Sequence, residues 1–301
     1  MTIGYRDILA ILLLLFYIPC LCAAIALIVR HGWSQSWFTW FVLVTFSLSR
    51  IAYASLVLAS SAHPSSFGLR LAAATLAVDG LSPLLFMSIG LVYRLRGFLL
   101  QAQPSLHLST ALSHKHLTTL DALITAAFIC ASVGYRGMSR AEVDHGIATH
   151  SDTLKAAAIM YVIACAGVAA ATATLCAQYS GLVPRGERRV LLVLVAGLPL
   201  LCVRTVYLAV DILGDVGRFS AISGDVTIFL CMALLEECVM AGAYAGLGFV
   251  VRVISKDEWK EMQEIAKKQA AGKGEGEEIG DGELLRREEG GADLENGRGR
   301  A

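Results

Sequence analysis

Seven long apolar stretches, separated by shorter polar segments, form the dominant pattern of the chain. A bilayer core about 30 Å thick is crossed by roughly 20 apolar residues in a helix, and each stretch is close to that length. The pattern predicts an all-α, polytopic membrane protein, a seven-transmembrane helix bundle. The predicted spans cover residues 8–29, 37–58, 71–93, 117–133, 154–177, 190–210 and 227–251.

The composition also favours a membrane protein over a soluble one. Hydrophobic residues make up 56% of the 301 residues and charged residues only 17%, whereas soluble domains carry about 25% charged residues. We therefore expect an integral membrane protein of the plasma membrane or an endomembrane. Its first partner is the lipid bilayer, and no nucleic-acid partner is predicted.

Basic residues near the span ends predict the orientation, because cytoplasmic loops carry an excess of lysine and arginine. With an odd number of spans, the two termini lie on opposite sides. The side of the N-terminus has five such residues, Arg6, Arg70, Arg136, Arg140 and Arg218. The other side has twelve, Arg30, Arg94, Arg96, Lys115, Arg185, Arg188, Arg189, Arg252, Lys256, Lys260, Lys267 and Lys268. The excess predicts an N-terminus outside the cell or in a lumen and a cytoplasmic C-terminus.

The chain divides into a transmembrane domain, residues 1–251, and a cytoplasmic tail, residues 252–301. Over residues 256–270, Trp259, Met262 and Ile265 or Ala266 fall on one side of a helix with lysines around them, which predicts a short amphipathic helix along or leaving the membrane surface. Beyond Ala271 the chain is rich in glycine and glutamate, a composition typical of disorder. A cytoplasmic protein is a candidate partner of this tail.

Charged residues inside the spans give the strongest indication of a functional site. An ionised side chain facing lipid costs at least about 2.5 kcal/mol, yet Arg50, Asp79, Arg204 and Glu236 all fall within predicted spans. Each lies about 14 residues from the predicted cytoplasmic end of its span, which at 1.5 Å per residue is about 20 Å. Equal depth predicts one buried polar layer if the second, third, sixth and seventh spans face a common centre.

Four further residues are predicted to lie on or beside this layer. Tyr207 and Asp211 follow Arg204 on one helical stripe, and Asp225 is placed on the side of Glu236, three turns earlier. Glu237 is rotated about 100° from Glu236. We therefore expect one glutamate to pair with Arg204 and the other with Arg50. The candidate layer comprises Arg50, Asp79, Arg204, Tyr207, Glu236 and Glu237.

Two interpretations of this layer remain open. It is either a structural clasp that fixes helix register or a functional polar site for an ion, a proton or a lipid head group. Pro83 and Pro199 lie close to Asp79 and Arg204 and can kink their spans, which suits a cavity beside the layer.

Several short motifs along residues 1–252 resemble a family of fungal seven-span membrane proteins of unknown function. They are Tyr5-Arg6-Asp7, Arg30-His31-Gly32, Ser47-Leu48-Ser49-Arg50, Gly80-Leu81-Ser82-Pro83-Leu84-Leu85, Glu187-Arg188-Arg189-Val190-Leu191-Leu192, Pro199 with Val203-Arg204 and Tyr207, and Leu234-Leu235-Glu236-Glu237. The resemblance implies a fungal membrane protein but brings no substrate or catalytic residue. It also implies that an amide is commoner at the position of Asp79, which favours Arg50, Arg204 and the two glutamates as the foundation of the layer.

Other seven-span classes fit less well. A retinal protein needs a lysine in its last span, and residues 220–251 contain none. Glu236 and Glu237 look like the paired glutamates of intramembrane prenyl-protein proteases, but Ala241 stands where that pattern has arginine. All seven histidines are placed in loops, so no zinc site is expected within the membrane. We predict no enzymatic activity, no cofactor and no metal.

Two functions therefore remain. One is transport or handling of a lipid or small solute through the charged layer, for which fungal lipid-exporter-like proteins share the layout. The alternative is a receptor-like or scaffolding protein in which the layer is structural. A transporter should lose pH or solute dependence in Glu236→Gln while folding persists, whereas a receptor-like protein should lose partner binding when residues 185–189 or the tail are cut.

Overall fold

The part of the chain that the structure describes forms a bundle with seven long apolar spans. The computed structural model describes residues 4–32, 37–103, 106, 108–137, 151–184, 186–214, 217–219, 224–254, 257–258, 260–261 and 264–265. Within these residues the secondary structure is helical and contains no strand. The seven spans are Tyr5–His31, Trp37–Ala62, Phe67–Ala102, His114–Arg136, Asp152–Tyr179, Arg188–Leu213 and Val226–Val250.

The length and composition of these helices agree with the predicted membrane bundle. Because successive spans run in opposite directions, the first, third, fifth and seventh spans begin on one side, which we call the N-terminal side. The opposite side is the C-terminal side. The amphipathic helix predicted over residues 256–270 and the tail beyond it lie largely outside the described residues.

The third span is the centre of the bundle. In the most apolar 18-residue segment of this span 72% of the residues are buried, against 33–44% in the corresponding segments of the other spans. The reason is that the third span contacts the second, fourth, fifth, sixth and seventh spans. The first span packs on the second and the seventh. The exposed large apolar side chains of the described residues therefore lie on the outer spans and not on the third span.

The third span is interrupted, and the interruption lies where the candidate layer is predicted. Its two helices are Phe67–Val78 and Leu81–Ala102, and Asp79 and Gly80 separate them. We expected Pro83 to interrupt the span, but it lies in the first turn of the second helix, where a missing N–H is tolerated. Because the helix Phe67–Val78 ends at the break, its last carbonyl groups have no hydrogen-bond partner within that helix.

The seventh span has a local change of helical pitch. It begins with Val226–Phe229, continues as a π-helical turn over Leu230–Leu234, and resumes as Leu235–Val250. A π-turn rotates the residues on either side of it relative to a regular helix. The prediction that Asp225 shares a side with Glu236 is therefore wrong: Asp225 is exposed and caps the helix by accepting from Thr227 N (2.8 Å).

The C-terminal side of the seventh span is tied to the first span. His31 Nε2 lies 2.9 Å from the carbonyl oxygen of Gly248, and Arg30 Nη1 donates to the carbonyl oxygen of Phe249. These are among the carbonyls that a helix leaves unsatisfied at its end. His31 was predicted to lie in a loop, but it is the buried last residue of the first span.

Candidate functional site

Glu237 binds two arginines at the centre of the bundle. Arg50 Nη2 donates to Glu237 Oε1 (2.9 Å), and Arg50 Nε lies 2.9 Å from Oε2. Arg204 Nε also donates to Oε1 (2.9 Å). All three side chains are at most 1% exposed. Residues from the second, sixth and seventh spans thus meet in one buried group, which we call the Glu237 cluster: Arg50, Arg204 and Glu237.

The third span completes this cluster with backbone oxygens. Arg50 Nη1 donates to the carbonyl oxygen of Leu76 (2.9 Å), and Arg204 Nη2 donates to that of Ala77 (3.1 Å). Arg50 Nη2 also reaches the Ala77 carbonyl (3.5 Å). Both carbonyls lie at the end of the helix Phe67–Val78, where the helix dipole is negative and cations are favoured. The helix break therefore creates the acceptors that the two guanidinium groups need.

Gly80 provides the space in which the cluster forms. A Cβ atom at this position would overlap the Arg50 guanidinium and lie 2.5 Å from Glu237 Oε1. The backbone of Gly80 is helical (φ −66°, ψ −23°), so the requirement for glycine comes from space and not from backbone conformation.

Aromatic rings surround the two arginines. The Arg50 guanidinium carbon lies 5.4 Å from the ring centroid of Phe46 and 5.8 Å from that of Tyr53. The corresponding carbon of Arg204 lies 5.6 Å from the Tyr207 ring. These distances allow cation–π attraction in a poorly hydrated setting. The contribution of Tyr207 comes from its ring, since its buried hydroxyl has no hydrogen-bond partner among the described residues.

Two predicted members of the layer are buried nearby but do not join the cluster. Glu236 is 6% exposed, and its Oε2 has no hydrogen-bond partner among the described residues. The Asp79 carboxyl lies near Ser132 of the fourth span, and its Oδ1 likewise has no such partner there. The expectation that each glutamate pairs with one arginine is therefore wrong. Among the described residues, Glu237 is the acid that binds both arginines, because the helical rotation between adjacent residues turns Glu236 away.

The cluster carries an excess of positive charge. Two guanidinium groups share one carboxylate, so the three side chains sum to +1 when ionised. Removing ionised groups from water costs several kcal/mol each unless they are paired and hydrogen-bonded. The carbonyl oxygens at the helix break lower this cost. Two further buried acids lie beside the cluster, Asp79 near Arg50 and Glu236 near Arg204.

A partly enclosed cavity on the N-terminal side ends at residues that contact this cluster, Tyr53 and Ala77. Its volume is about 150 Å³, and it lies between the first, second, third and seventh spans. Arg6, Ser61 and Arg70 lie at its mouth, whereas Tyr53, Ala77 and Leu234 lie at its deepest level. From Arg70 to Ala77 the third span rises about 10 Å. The cavity therefore ends at the residue whose carbonyl both arginines approach.

A second buried ion pair lies near the C-terminal side. Arg94 Nε and Nη2 donate to Glu187 Oε2 (2.8 Å) and Oε1 (2.9 Å), and Nη2 also donates to the carbonyl oxygen of Arg252 (2.9 Å). Such a two-point contact is the strong geometry for arginine and carboxylate. Nearby, Ile254 packs on Phe98, so the chain after the last span folds over the third span.

Sequence reasoning missed this pair. The third span was predicted to end at residue 93, so Arg94 and Arg96 were counted as loop cations. Both are buried, and Arg96 Nε donates to the carbonyl oxygen of Leu112 (3.0 Å). The available signal was Glu187, a single acid beside the basic residues Arg188 and Arg189.

In the part of the chain that the structure describes, the side chains form no arrangement suited to a metal ion. No group of three or more histidine, cysteine, aspartate or glutamate residues is placed there to hold an ion. The cluster and cavity instead offer arginine N–H donors, one shared carboxylate and apolar walls. Guanidinium groups match the geometry of carboxylate and phosphate groups.

A family model matches nearly the whole chain. The model of a domain of unknown function, DUF7702, matches residues 3–254, which covers all seven spans. The matched region includes the Glu237 cluster, the Arg94–Glu187 ion pair and the residues around the cavity. No curated protein matches the chain.

Proposed function

The chain belongs to the DUF7702 family of domains of unknown function, and we propose that it moves or handles a lipid or small solute through its buried polar layer. The observation that carries this proposal is the cavity that ends at the Glu237 cluster. A polar group inside a membrane protein is expensive and usually faces a cavity or pathway. Here the cavity and the charged groups adjoin.

The connection between cavity and cluster is direct. Tyr53 lines the cavity, and its ring lies 5.8 Å from the Arg50 guanidinium carbon. Ala77 lines the cavity, and its carbonyl accepts from Arg204. Leu234 lines it three residues before Glu237. A solute that enters from the N-terminal side therefore comes within about one helical turn of the charged groups.

The orientation of the bundle is part of this proposal. Lysine and arginine near the span ends still favour a cytoplasmic C-terminus when the buried residues Arg94 and Arg96 are set aside, because ten basic residues remain against five. The cavity would then open to the outside or to a lumen. A fungal source and location in the plasma membrane or an endomembrane complete the proposal, which assigns no catalytic reaction to the chain.

A receptor-like or scaffolding role is the second candidate, and the bonding of the cluster favours it. Glu237 and the third-span carbonyls together bind both arginines, as a clasp that fixes the second, third, sixth and seventh spans would require. In that role the tail or the basic segment 185–189 would bind a cytoplasmic protein.

Lipid movement in proteoliposomes tests the first candidate. The purified chain is reconstituted with a trace of fluorescent phosphatidylserine or phosphatidylcholine, and the fraction accessible to an external quencher is followed with time. Ala73 lines the cavity and is buried, so Ala73→Phe fills it. Ala72 on the same helix lies outside the lining, and Ala72→Phe is the size-matched control.

Faster lipid exchange than in empty vesicles, lost in Ala73→Phe and kept in Ala72→Phe, supports transport or handling through the cavity. Exchange equal to that of empty vesicles for both lipids contradicts lipid movement. The same comparison with a pH-sensitive dye trapped inside the vesicles tests proton movement, for which Glu236→Gln is the informative variant.

A further inference from the structure

The buried polar layer contains an acid without a full set of partners, and we propose that this acid, Glu236, is a proton-binding site. In the arrangement described above, Glu236 holds the proton and stands apart from Arg204. When the proton leaves, Glu236 bonds to Arg204. The inference deepens the proposed function by naming a solute that the layer binds, and it rests on that function only where proton binding leads to transport.

The Glu236 side chain is buried with an oxygen that lacks a donor. It is 6% exposed, and its Oε2 accepts no hydrogen bond from the described residues. An ionised carboxylate is an acceptor only, and both of its oxygens need donors. Burying a charge without them is costly. A bound proton removes the charge, so the neutral acid fits this position.

Glu236 also lies at the edge of the bundle. Val239 and Ala243, three and seven residues later on the same side of the helix, are both exposed. Glu236 lies about 20 Å before Val250, the end of the span. An ionised side chain at this depth next to an exposed apolar surface is strongly disfavoured in a bilayer. The position therefore favours the protonated form.

The groups around Glu236 do not compensate for a second negative charge. The nearest charged neighbours of Glu236 are Arg204 and Glu237, and Glu237 already binds this arginine. Arg6 and Asp211 lie nearer the N-terminal side and have other contacts. The titratable groups of the described residues around Glu236 and the cluster are Arg6 and Tyr17 of the first span, Arg50 and Tyr53 of the second, Asp79 of the third, Tyr135 of the fourth, Tyr161 of the fifth, Arg204, Tyr207 and Asp211 of the sixth, and Glu237 and Cys238 of the seventh.

Asp79 is the other buried acid of the layer, and its surroundings differ. Arg50 and Arg136 face it from two spans, and a hydroxyl of the fourth span lies beside it. Glu236 instead has one arginine, shared with Glu237, and a carboxylate of the same helix as its second charged neighbour. A nearby like charge disfavours the ionised form of an acid. Of the two acids, Glu236 is therefore the better proton site.

Arg204 provides the partner for the ionised form. Its Nε donates to Glu237 Oε1 (2.9 Å) and its Nη2 to the carbonyl oxygen of Ala77 (3.1 Å). Its Nη1 is buried without a hydrogen-bond partner among the described residues. Arg204 thus keeps one N–H group for Glu236. A bond between Nη1 and the Glu236 carboxylate favours the charged form, so it links proton release to a change in the cluster.

Infrared spectroscopy of the full chain tests the proposal. The protein is placed in nanodiscs of ether-linked phosphatidylcholine, whose lipids have no ester carbonyl, and the carbonyl-stretch band of protonated carboxyl groups is recorded at about pH 6. Carboxyl groups in water, with pKa values of about 4, are ionised there. We expect part of the band, equivalent to one carboxyl group per chain, to disappear in Glu236→Gln and to remain in Asp79→Asn. Asp152→Asn removes an exposed acid and should leave the band unchanged.

Two results of this experiment would overturn the proposal. One is a band that Glu236→Gln leaves unchanged, and the other is a band that Asp79→Asn removes instead. Arg204→Gln tests the link to the cluster. Without its partner the ionised form is less favoured, so the midpoint for loss of the Glu236 band should rise by at least about one pH unit. An unchanged midpoint would refute the bond to Arg204.

The wild-type chain gives a second measurement that needs no variant. A lipid-soluble carbodiimide adds to a protonated carboxyl group: the proton moves to a nitrogen, the carboxyl oxygen bonds to the central carbon, and no group leaves. Mass spectrometry should find Glu236 modified at about pH 6, at least about tenfold less modified at about pH 9, and Glu237 unmodified. Absence of modification at Glu236 at about pH 6 would contradict the proposal.

Proton binding and transport fail separately. Proteoliposomes with a trapped pH-sensitive dye report proton movement, and the exchange of labelled lipid in Ala73→Phe reports on the cavity. A Glu236 band without proton movement keeps the binding site and refutes proton transport. If neither proton nor lipid moves, the proposed function fails and the proton site stands. Proton movement that persists in Glu236→Gln would refute the role of this site in transport.

Discussion

Gly80 lies against the Arg50 guanidinium so closely that no side chain fits between them. A Cβ atom there would overlap the guanidinium and approach Glu237 Oε1 to 2.5 Å. Arg50 is held by Glu237 and by two backbone carbonyls, so its end is not free to swing aside. The break in the third span and the cluster that fills it therefore depend on one another.

Gly80→Ala should consequently displace Arg50 and destabilise the bundle. We expect a loss of about 3 kcal/mol, the scale at which a buried ion pair is broken, measured by thermal unfolding of detergent-purified protein. Gly246→Ala is the control, because a Cβ there meets nothing within 4 Å and alanine favours a helix. Equal melting of Gly80→Ala and the wild type would show that the Arg50 contacts contribute little.

Glu237 and Glu236 should respond differently to the same substitution. Glu237→Gln leaves two buried arginines without their carboxylate, and we expect a loss of about 3–5 kcal/mol. Glu236→Gln removes a carboxylate with one buried oxygen lacking a hydrogen bond among the described residues, so its effect should stay within about 1 kcal/mol. Denaturation of the two variants side by side measures the difference, and the reverse order would contradict the assignment of Glu237 as the shared partner.

Replacing an arginine of the cluster should destabilise the protein less than replacing Glu237. Arg50→Gln leaves Arg204 and Glu237 as a balanced pair, whereas Glu237→Gln leaves two like charges together. We therefore expect Arg50→Gln to unfold at a temperature between those of Glu237→Gln and the wild type. A melting point below that of Glu237→Gln would mean that the carbonyl contacts outweigh the ion pair.

Arg94→Lys should weaken the second ion pair although it keeps the charge. Lysine cannot reproduce the two parallel bonds to Glu187 or the bond to the Arg252 carbonyl. A loss of about 1–3 kcal/mol is expected from the buried acceptors left without a donor. Arg189→Lys, at an exposed position, should lie within about 0.5 kcal/mol of the wild type. If Arg94→Lys and Arg189→Lys unfold at the same temperature, the two-point contact of Arg94 with Glu187 does not contribute to stability.

Asp79→Asn should be neutral or stabilising. The carboxyl is buried at the helix break, and its Oδ1 has no hydrogen-bond partner among the described residues. An amide of nearly the same shape avoids burying a charge. Asp152→Asn, at the exposed first turn of the fifth span, should instead cost about 0.3–1 kcal/mol by removing a favourable helix-dipole contact. A large loss in Asp79→Asn would show that the carboxylate is bound as an anion.

Some of these relationships were within reach of the sequence. The placement of Arg50 and Arg204 at one depth followed from counting residues, because a helix rises a fixed distance per residue. Their meeting with Glu237 needed helix rotation as well, and the π-turn over Leu230–Leu234 makes that rotation unpredictable from regular periodicity. The sequence therefore located the charged level but assigned the wrong pairs.

The sequence by itself determined the class and the seven spans, since each apolar stretch is long enough for a helix to cross a bilayer. The tertiary structure decided which acid binds the arginines, that Arg94 is buried against Glu187, and that Arg6 and Arg70 lie at the mouth of one cavity. Each of these depends on how separate helices are rotated, broken and packed. The hydropathy pattern of a sequence does not determine how helices rotate and pack, so it does not predict those contacts.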